Sequence, residues 1–97
     1  MSYRLVVSTE ALAETAEIYA YHKEIGQALA DRFEKELDAC YGYITRQPAG
    51  FQIRKKNYRH ALLHKFRYRV VFAVIGQDVV VFQVRHMSRK PSREFGP

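Results

Sequence analysis

A chain of 97 residues is long enough for one modest core, so we predict a single domain over residues 1–97, and a hydrophobic fraction of 47% excludes a disordered protein. The longest apolar run, residues 70–75, is too short to cross a bilayer, and the N-terminus lacks the features of a signal peptide. The single cysteine, Cys40, cannot form an internal disulfide. We therefore expect a cytoplasmic protein that contacts no membrane.

The formal net charge of +6 is unevenly distributed along the chain. Residues 1–50 carry 5 basic and 8 acidic side chains, whereas residues 51–97 carry 11 basic and 2 acidic ones. A surface that is merely solvated usually mixes both signs. The asymmetry therefore favours an anionic partner for the second half, which could be nucleic acid, an acidic peptide or an acidic protein surface.

The first half of the chain predicts a strand followed by a helix. Residues 3–8 combine β-branched centres with a serine that can cap a helix. The spacing of Leu12, Ala16 and Tyr19 then predicts a helix over residues 10–24 with these three residues on its apolar side.

A second helix follows, and Gly26 separates the two so that they form a hairpin. This helix has one continuous apolar stripe, with spacings of 4, 4, 3 and 4, formed by Leu29, Phe33, Leu37, Cys40 and Ile44. Residues 48–50 (PAG) end the helix.

The second half predicts three strands, over residues 57–66, 67–75 and 79–87, and an irregular tail from residue 88. The fold class is therefore α+β: an N-terminal strand, a helical hairpin packed on one face of the sheet, and a three-stranded antiparallel meander.

The turn between the last two strands decides which residues face each other. A two-residue turn at Gly76 and Gln77 places Arg69 opposite Val84 and mixes charged with apolar residues on both faces. A three-residue turn over residues 76–78 separates an apolar face from a basic one. It places Arg69 opposite Arg85, and it pairs Val70 with Val84, Phe72 with Phe82 and Val74 with Val80. We favour this second register because the apolar pattern fixes register.

Residues 65–72 (KFRYRVVF) place an arginine inside an apolar strand, and residues 84–91 (VRHMSRKP) contain a V-x-H-x-x-R-x-P pattern. Together with a helical hairpin that ends in PAG, these motifs resemble the RelE/ParE superfamily of type II toxin–antitoxin toxins. Arg67 stands where the family usually has proline. The resemblance implies a toxin that arrests bacterial growth until a cognate antitoxin binds it.

The resemblance leaves the cellular target open, because ParE-like members poison DNA gyrase and RelE-like members cut messenger RNA on the translating ribosome. The H-x-x-R-x-P end, the long helical hairpin and the lack of a catalytic tyrosine in the tail favour the gyrase-directed class; Phe95 is the only aromatic residue there. The alternatives are a ribosome-dependent mRNA endonuclease and a stand-alone RNA-binding module, both suggested by the basic strands.

If the protein is a nuclease, its catalytic residues are predicted to be Arg59, Arg69, Arg85 and His86. Metal-free RNA cleavage needs cations on the phosphorane and a group that transfers protons. The resemblance implies that Arg69 binds the scissile phosphate, that Arg59 lies near a lysine used by some relatives, and that His86 matches a catalytic histidine. His86 is equally well explained as a structural residue beside Tyr68.

Four further basic residues are candidates for binding an anionic target: Lys55, Lys56, Arg67 and Arg89. We expect no metal and no cofactor. His60 and His64 lie about 13 Å apart on an extended strand, too far to share an ion, and the chain has no glycine-rich phosphate loop.

Overall fold

The structure, a computed structural model, describes residues 3–88, so Arg89 and all of the predicted irregular tail beyond Ser88 lie outside the described residues. Two helices and five strands make up the fold, together with a short 3-10 turn at Pro48–Gly50. In chain order these are β1 (Arg4–Val7), α1 (Thr9–Ile25), α2 (Gln27–Arg46), β2 (Ile53–Lys55), β3 (Tyr58–Leu62), β4 (Tyr68–Ile75) and β5 (Asp78–His86).

All five strands form one sheet in the order β1-β5-β4-β3-β2. β1 is parallel to β5, and the other neighbours are antiparallel. The α+β class with a helical hairpin on one face is confirmed. The predicted meander of three strands is corrected to four, because β2 pairs antiparallel with β3. Its three exposed residues, Ile-Arg-Lys, lack the apolar alternation that marks a strand in a sequence.

The helices begin and end within one residue of the predicted boundaries, but only Tyr19 of the predicted apolar stripe of α1 packs against the core. Ser8 caps α1 by accepting a hydrogen bond from the Ala11 amide (3.1 Å). Ala11 and His22 are the buried residues of this helix, whereas the side chain of Leu12 is 55% exposed. The difference arises because α1 packs against both α2 and β5, so that no single stripe marks its inner side.

The stripe of α2 is confirmed for four of its five predicted residues, and only Leu29 is not fully buried. The stripe supplies much of the core. Phe33, Leu37, Cys40 and Ile44 are buried and pack on the helix-facing side chains of the sheet, which include Ala61, Val70, Phe72, Val79, Val81 and Val84. Burial raises the pKa of the Cys40 thiol to about 11, which keeps it protonated and unreactive at neutral pH.

The pairing of β4 with β5 combines the two registers considered above. Next to the turn, Ile75 pairs with Asp78 and Phe72 with Val81, as a two-residue turn requires. Gly76 in that turn has φ +61°, a conformation that favours glycine. A bulge then shifts the ladder, so that Arg69 lies opposite Arg85 as predicted. The predicted pairs of Phe72 with Phe82 and Val74 with Val80 are wrong, because they lie before the bulge.

The hydroxyl of Tyr41 is buried and has no hydrogen-bond partner among the described residues. Burial raises the pKa of this phenol above its ordinary range. We predict that Tyr41→Phe raises the free energy of unfolding by about 1 kcal/mol, because it removes an unsatisfied polar group. Urea unfolding measures the change. Tyr19→Phe is the control. The Tyr19 hydroxyl accepts a hydrogen bond from Gln27 (3.0 Å), so removing this hydroxyl should not raise the free energy of unfolding. A less stable Tyr41→Phe protein would contradict the prediction.

Candidate functional site

The sheet has an outer face, which we define as the side that the two helices leave uncovered. Side chains alternate between the faces of a strand, so Arg69 lies on the outer face because Tyr68 and Val70 belong to the core. Arg69 is half-buried and lies opposite Arg85 on β5. Burial lowers the pKa of the Arg69 guanidinium, and the charge of Arg85 lowers it further. The predicted basic face thus contains two guanidinium groups that repel each other.

A carboxylate on α1 compensates the charge of Arg85. The Nε atom of Arg85 lies 3.0 Å from Oε2 of Glu14, and its Nη2 atom lies 3.6 Å from Oε1 of Glu10. Glu14 also accepts a hydrogen bond from the backbone amide of Val84 (2.9 Å). The partner strand β1 pairs with β5 only as far as Val81, so Glu14 takes the place of a strand carbonyl at this edge. No local sequence pattern reveals this contact, because the two partners are 70 residues apart in the chain.

His86 ends β5 on the helix-facing side, beside Tyr68 as expected. The two rings meet edge to face, with their centroids 5.2 Å apart. Nδ1 of His86 accepts a hydrogen bond from the Ser88 amide (3.0 Å) and lies 2.7 Å from the Ser88 hydroxyl oxygen. These contacts fix the ring and occupy one of its two nitrogens.

Arg59 lies on the other face of the sheet from Arg69. It occupies the helix-facing side of β3, two residues from buried Ala61, and its Nη1 atom donates a hydrogen bond to the carbonyl of Phe51 (2.6 Å). Arg59 pairs with Phe72 and His86 pairs with Tyr68, so these two candidates are four residues apart along β4, about 13 Å. The four predicted catalytic residues therefore do not converge on one point.

The candidate anion-binding residues also separate into two places. Lys55 and Lys56 lie in the β2–β3 hairpin, whereas Arg67 lies in the loop between β3 and β4, at the opposite end of the sheet. All three are exposed, and none forms a salt bridge with a carboxylate of residues 3–88.

An open groove runs along α1 beside the β3–β4 loop and the end of β5. Its volume is about 570 Å³, and its floor contains the rings of His22, Phe66 and Tyr68. The Phe66 and Tyr68 rings meet His22 edge to face, and buried Phe33 stacks on His22 beneath the floor. An adjoining cavity of about 220 Å³ extends it towards Glu14 and Arg85. Two apolar side chains of α1, Tyr21 and Ile25, line the groove and are 60% and 62% exposed. We call this feature the α1 groove. Sequence reasoning missed it because these residues lie off the expected stripe of α1.

Within residues 3–88 no three His, Cys, Asp or Glu side chains are grouped so that they could hold a metal ion. In the same part of the chain, no helix is long and apolar enough to cross a membrane.

The family model described as "ParE toxin of type II toxin-antitoxin system, parDE" matches residues 5–91. Toxin ParE2 of Mycobacterium tuberculosis, from strains CDC 1551 / Oshkosh and ATCC 25618 / H37Rv, is 28% identical over 93 residues, which cover 95% of this chain and 89% of the relative. The fold is also similar to a solved chain of the chromosomal ParDE TA system from P. aeruginosa. That chain is 15% identical with a TM-score of 0.78, and the match covers 90% of this chain and 98% of the other.

The family match places this chain among the toxins of the RelE/ParE superfamily, and the solved chain shows the same fold. The chain belongs to the ParE toxin family of type II toxin–antitoxin systems. The predicted resemblance is confirmed, and a cognate antitoxin is the partner that this family implies.

We predict that Glu14→Ala lowers the free energy of unfolding by about 2 kcal/mol, because it leaves the Val84 amide without its acceptor and Arg85 without its nearest carboxylate. Glu14→Gln keeps an acceptor for the Val84 amide, so its free energy of unfolding should fall by less. Urea unfolding compares both with Glu17→Ala, an exposed residue one turn further along α1. If Glu14→Ala is as stable as the Glu17 control, Glu14 does not hold the edge of β5.

Proposed function

We propose that this toxin acts on a protein target, DNA gyrase, and does not cut RNA. The observation that carries the proposal is that the sheet separates the basic side chains that cleavage would require. Arg69 lies on the outer face, whereas Arg59 is on the helix-facing side and bonded to the Phe51 carbonyl.

Metal-free RNA cleavage needs a proton acceptor, a proton donor and cations within hydrogen-bond reach of one phosphate. Arg85 is paired with Glu14, so only part of its charge remains for a phosphate. His86 lies on the opposite face from Arg69, fixed by Tyr68 and Ser88. The similarity to Toxin ParE2 of Mycobacterium tuberculosis supports this proposal, because that relative is a ParE toxin and not a RelE nuclease.

A supercoiling assay tests the proposal. We expect excess purified toxin to inhibit supercoiling by gyrase and to accumulate cleaved DNA. Toxin that has been incubated with its antitoxin serves as the control and should leave supercoiling unchanged. Normal supercoiling in the presence of excess free toxin would refute a gyrase target.

The α1 groove is the proposed docking site for the antitoxin. A partner segment could place apolar side chains on the aromatic floor and carboxylates beside Lys65 and Arg67, which are exposed at its rim. An acidic, amphipathic segment fits this combination, because apolar burial supplies affinity and charge complementarity guides association.

Two exposed apolar residues of α1 allow a matched test of this docking site. We predict that Ile25→Asp weakens antitoxin binding at least roughly tenfold, because it puts a charge in the groove where an apolar contact should form. Leu12→Asp, at a similarly exposed position outside the groove, should bind like the wild type. Titration calorimetry measures both. A larger loss for Leu12→Asp would place the antitoxin elsewhere on α1.

The outer face is the second proposed contact. We predict that Arg69→Glu weakens both antitoxin binding and toxicity, since it reverses the central charge of this face. The variant should remain folded, because a carboxylate opposite Arg85 replaces a repulsive pair with an attractive one. Growth after induction and antitoxin affinity are the readouts, with thermal unfolding as the check on folding. Unchanged toxicity and affinity in Arg69→Glu would show that the face binds neither partner.

A further inference from the structure

The β2–β3 hairpin forms a basic ribbon at one edge of the sheet. β2 is the edge strand, and its three residues, Ile53, Arg54 and Lys55, are exposed. Lys55 pairs with Tyr58 across the turn, and the register shifts between Ile53 and Lys55, so that Arg54 is an extra residue in β2. Such a bulge makes neighbouring side chains diverge. The hairpin therefore presents basic side chains in more than one direction.

The hairpin lies in a part of the chain with no negative charge. No acidic residue occurs between Asp38 and Asp78, whereas eight basic residues do. Arg54, Lys55 and Lys56 form no salt bridge with any carboxylate of residues 3–88. Because all eight acidic residues of the first half lie on α1 and α2, the molecule is negative on its helices and positive at this edge.

Edge strands often carry lysine simply to prevent pairing with other chains. That role explains charges on β2 itself but does not require a third cation in the turn. Lys56 occupies the turn with φ 52°, a backbone conformation that lysine rarely adopts. Edge protection and anion binding also make different demands on charge. A glutamate protects an edge as well as a lysine does, but it cannot bind an anion.

The hairpin is remote from the α1 groove. Its turn lies at the same end of the sheet as Gly76, since Arg59 pairs with Phe72. The groove lies at the other end, beside Tyr68 and His86. An antitoxin segment in the groove would therefore leave the hairpin exposed.

We propose that the β2–β3 hairpin binds the phosphate backbone of duplex DNA. A two-stranded ribbon fits the major groove of B-form DNA, where the exposed lysine and arginine side chains of β2 and of the turn can reach phosphates. The deep, narrow major groove of duplex RNA does not admit such a ribbon. The inference rests on the proposed function in one respect: the duplex it binds in the cell is the one that gyrase holds.

Direct binding tests the DNA contact without gyrase. The probe is a fluorescent duplex of about 20 bp, two helical turns, mixed with the purified full chain at several salt concentrations. The Lys55→Glu/Lys56→Glu variant is compared with Arg32→Glu/Lys35→Glu, which makes the same change in net charge on the exposed side of α2.

We expect the hairpin variant to bind roughly tenfold more weakly and to reduce the slope of log affinity against log salt by about 2, one for each lost phosphate contact. The α2 variant should behave like the wild type. Equal losses in the two variants would overturn the proposal, because net charge alone would then explain binding. Tighter binding of a single-stranded or duplex RNA of the same length would also overturn it.

The supercoiling assay separates this inference from the proposed gyrase target. The hairpin variant should inhibit gyrase roughly tenfold less potently than the α2 variant, in line with its weaker DNA affinity. If both variants inhibit equally, the hairpin makes no contact with the DNA on gyrase while the gyrase target stands. If the wild type binds free DNA through the hairpin but never inhibits gyrase, then gyrase is not the target. The proposal that the hairpin binds the duplex held by gyrase is then also refuted.

Discussion

Two central strands, β4 and β5, must satisfy a turn and an apolar pattern that require different registers. The turn at Gly76 and Gln77 admits two residues, whereas the apolar pattern requires pairing one residue further along β5. A bulge resolves the conflict, because it lets the ladder begin in one register and end in the other. The core side chains of both strands then face the helices, and the basic residues at the far end of β4 and β5 are brought opposite each other. The positions of Arg69, Arg85 and His86 all follow from this shift.

The like-charged pair that results needs compensation, which comes from outside the sheet. Glu14 reaches from α1 to the edge of β5, where it binds both the Val84 amide and the Arg85 side chain. One carboxylate thereby satisfies an unpaired backbone donor and a guanidinium, and it joins α1 to the sheet. The same contact makes one wall of the cavity that adjoins the α1 groove. The edge of β5, the basic outer face and the proposed antitoxin site are thus physically connected.

The sequence predicted the parts of this structure that local patterns encode. The stripe of α2 is regular enough to identify its buried residues, and the pairing of Arg69 with Arg85 followed from separating apolar from basic positions. What it missed depends on contacts between distant segments. β2 carries no apolar alternation, and it is a strand only because β3 offers it an edge. The division of Arg59 and Arg69 between the two faces required knowing which side of β3 meets the helices.

The separation of charge accounts for how one small domain can have several partners. Acidic helices, a basic sheet and an apolar groove offer partners surfaces of different character, while the sheet keeps Arg59 and His86 away from Arg69. We propose that this division prevents RNA cleavage. The most direct test adds purified toxin to a reconstituted translation reaction and maps message ends by primer extension. The account predicts intact message at toxin concentrations that block supercoiling. Cuts phased to codons, and lost in Arg69→Ala, would contradict it.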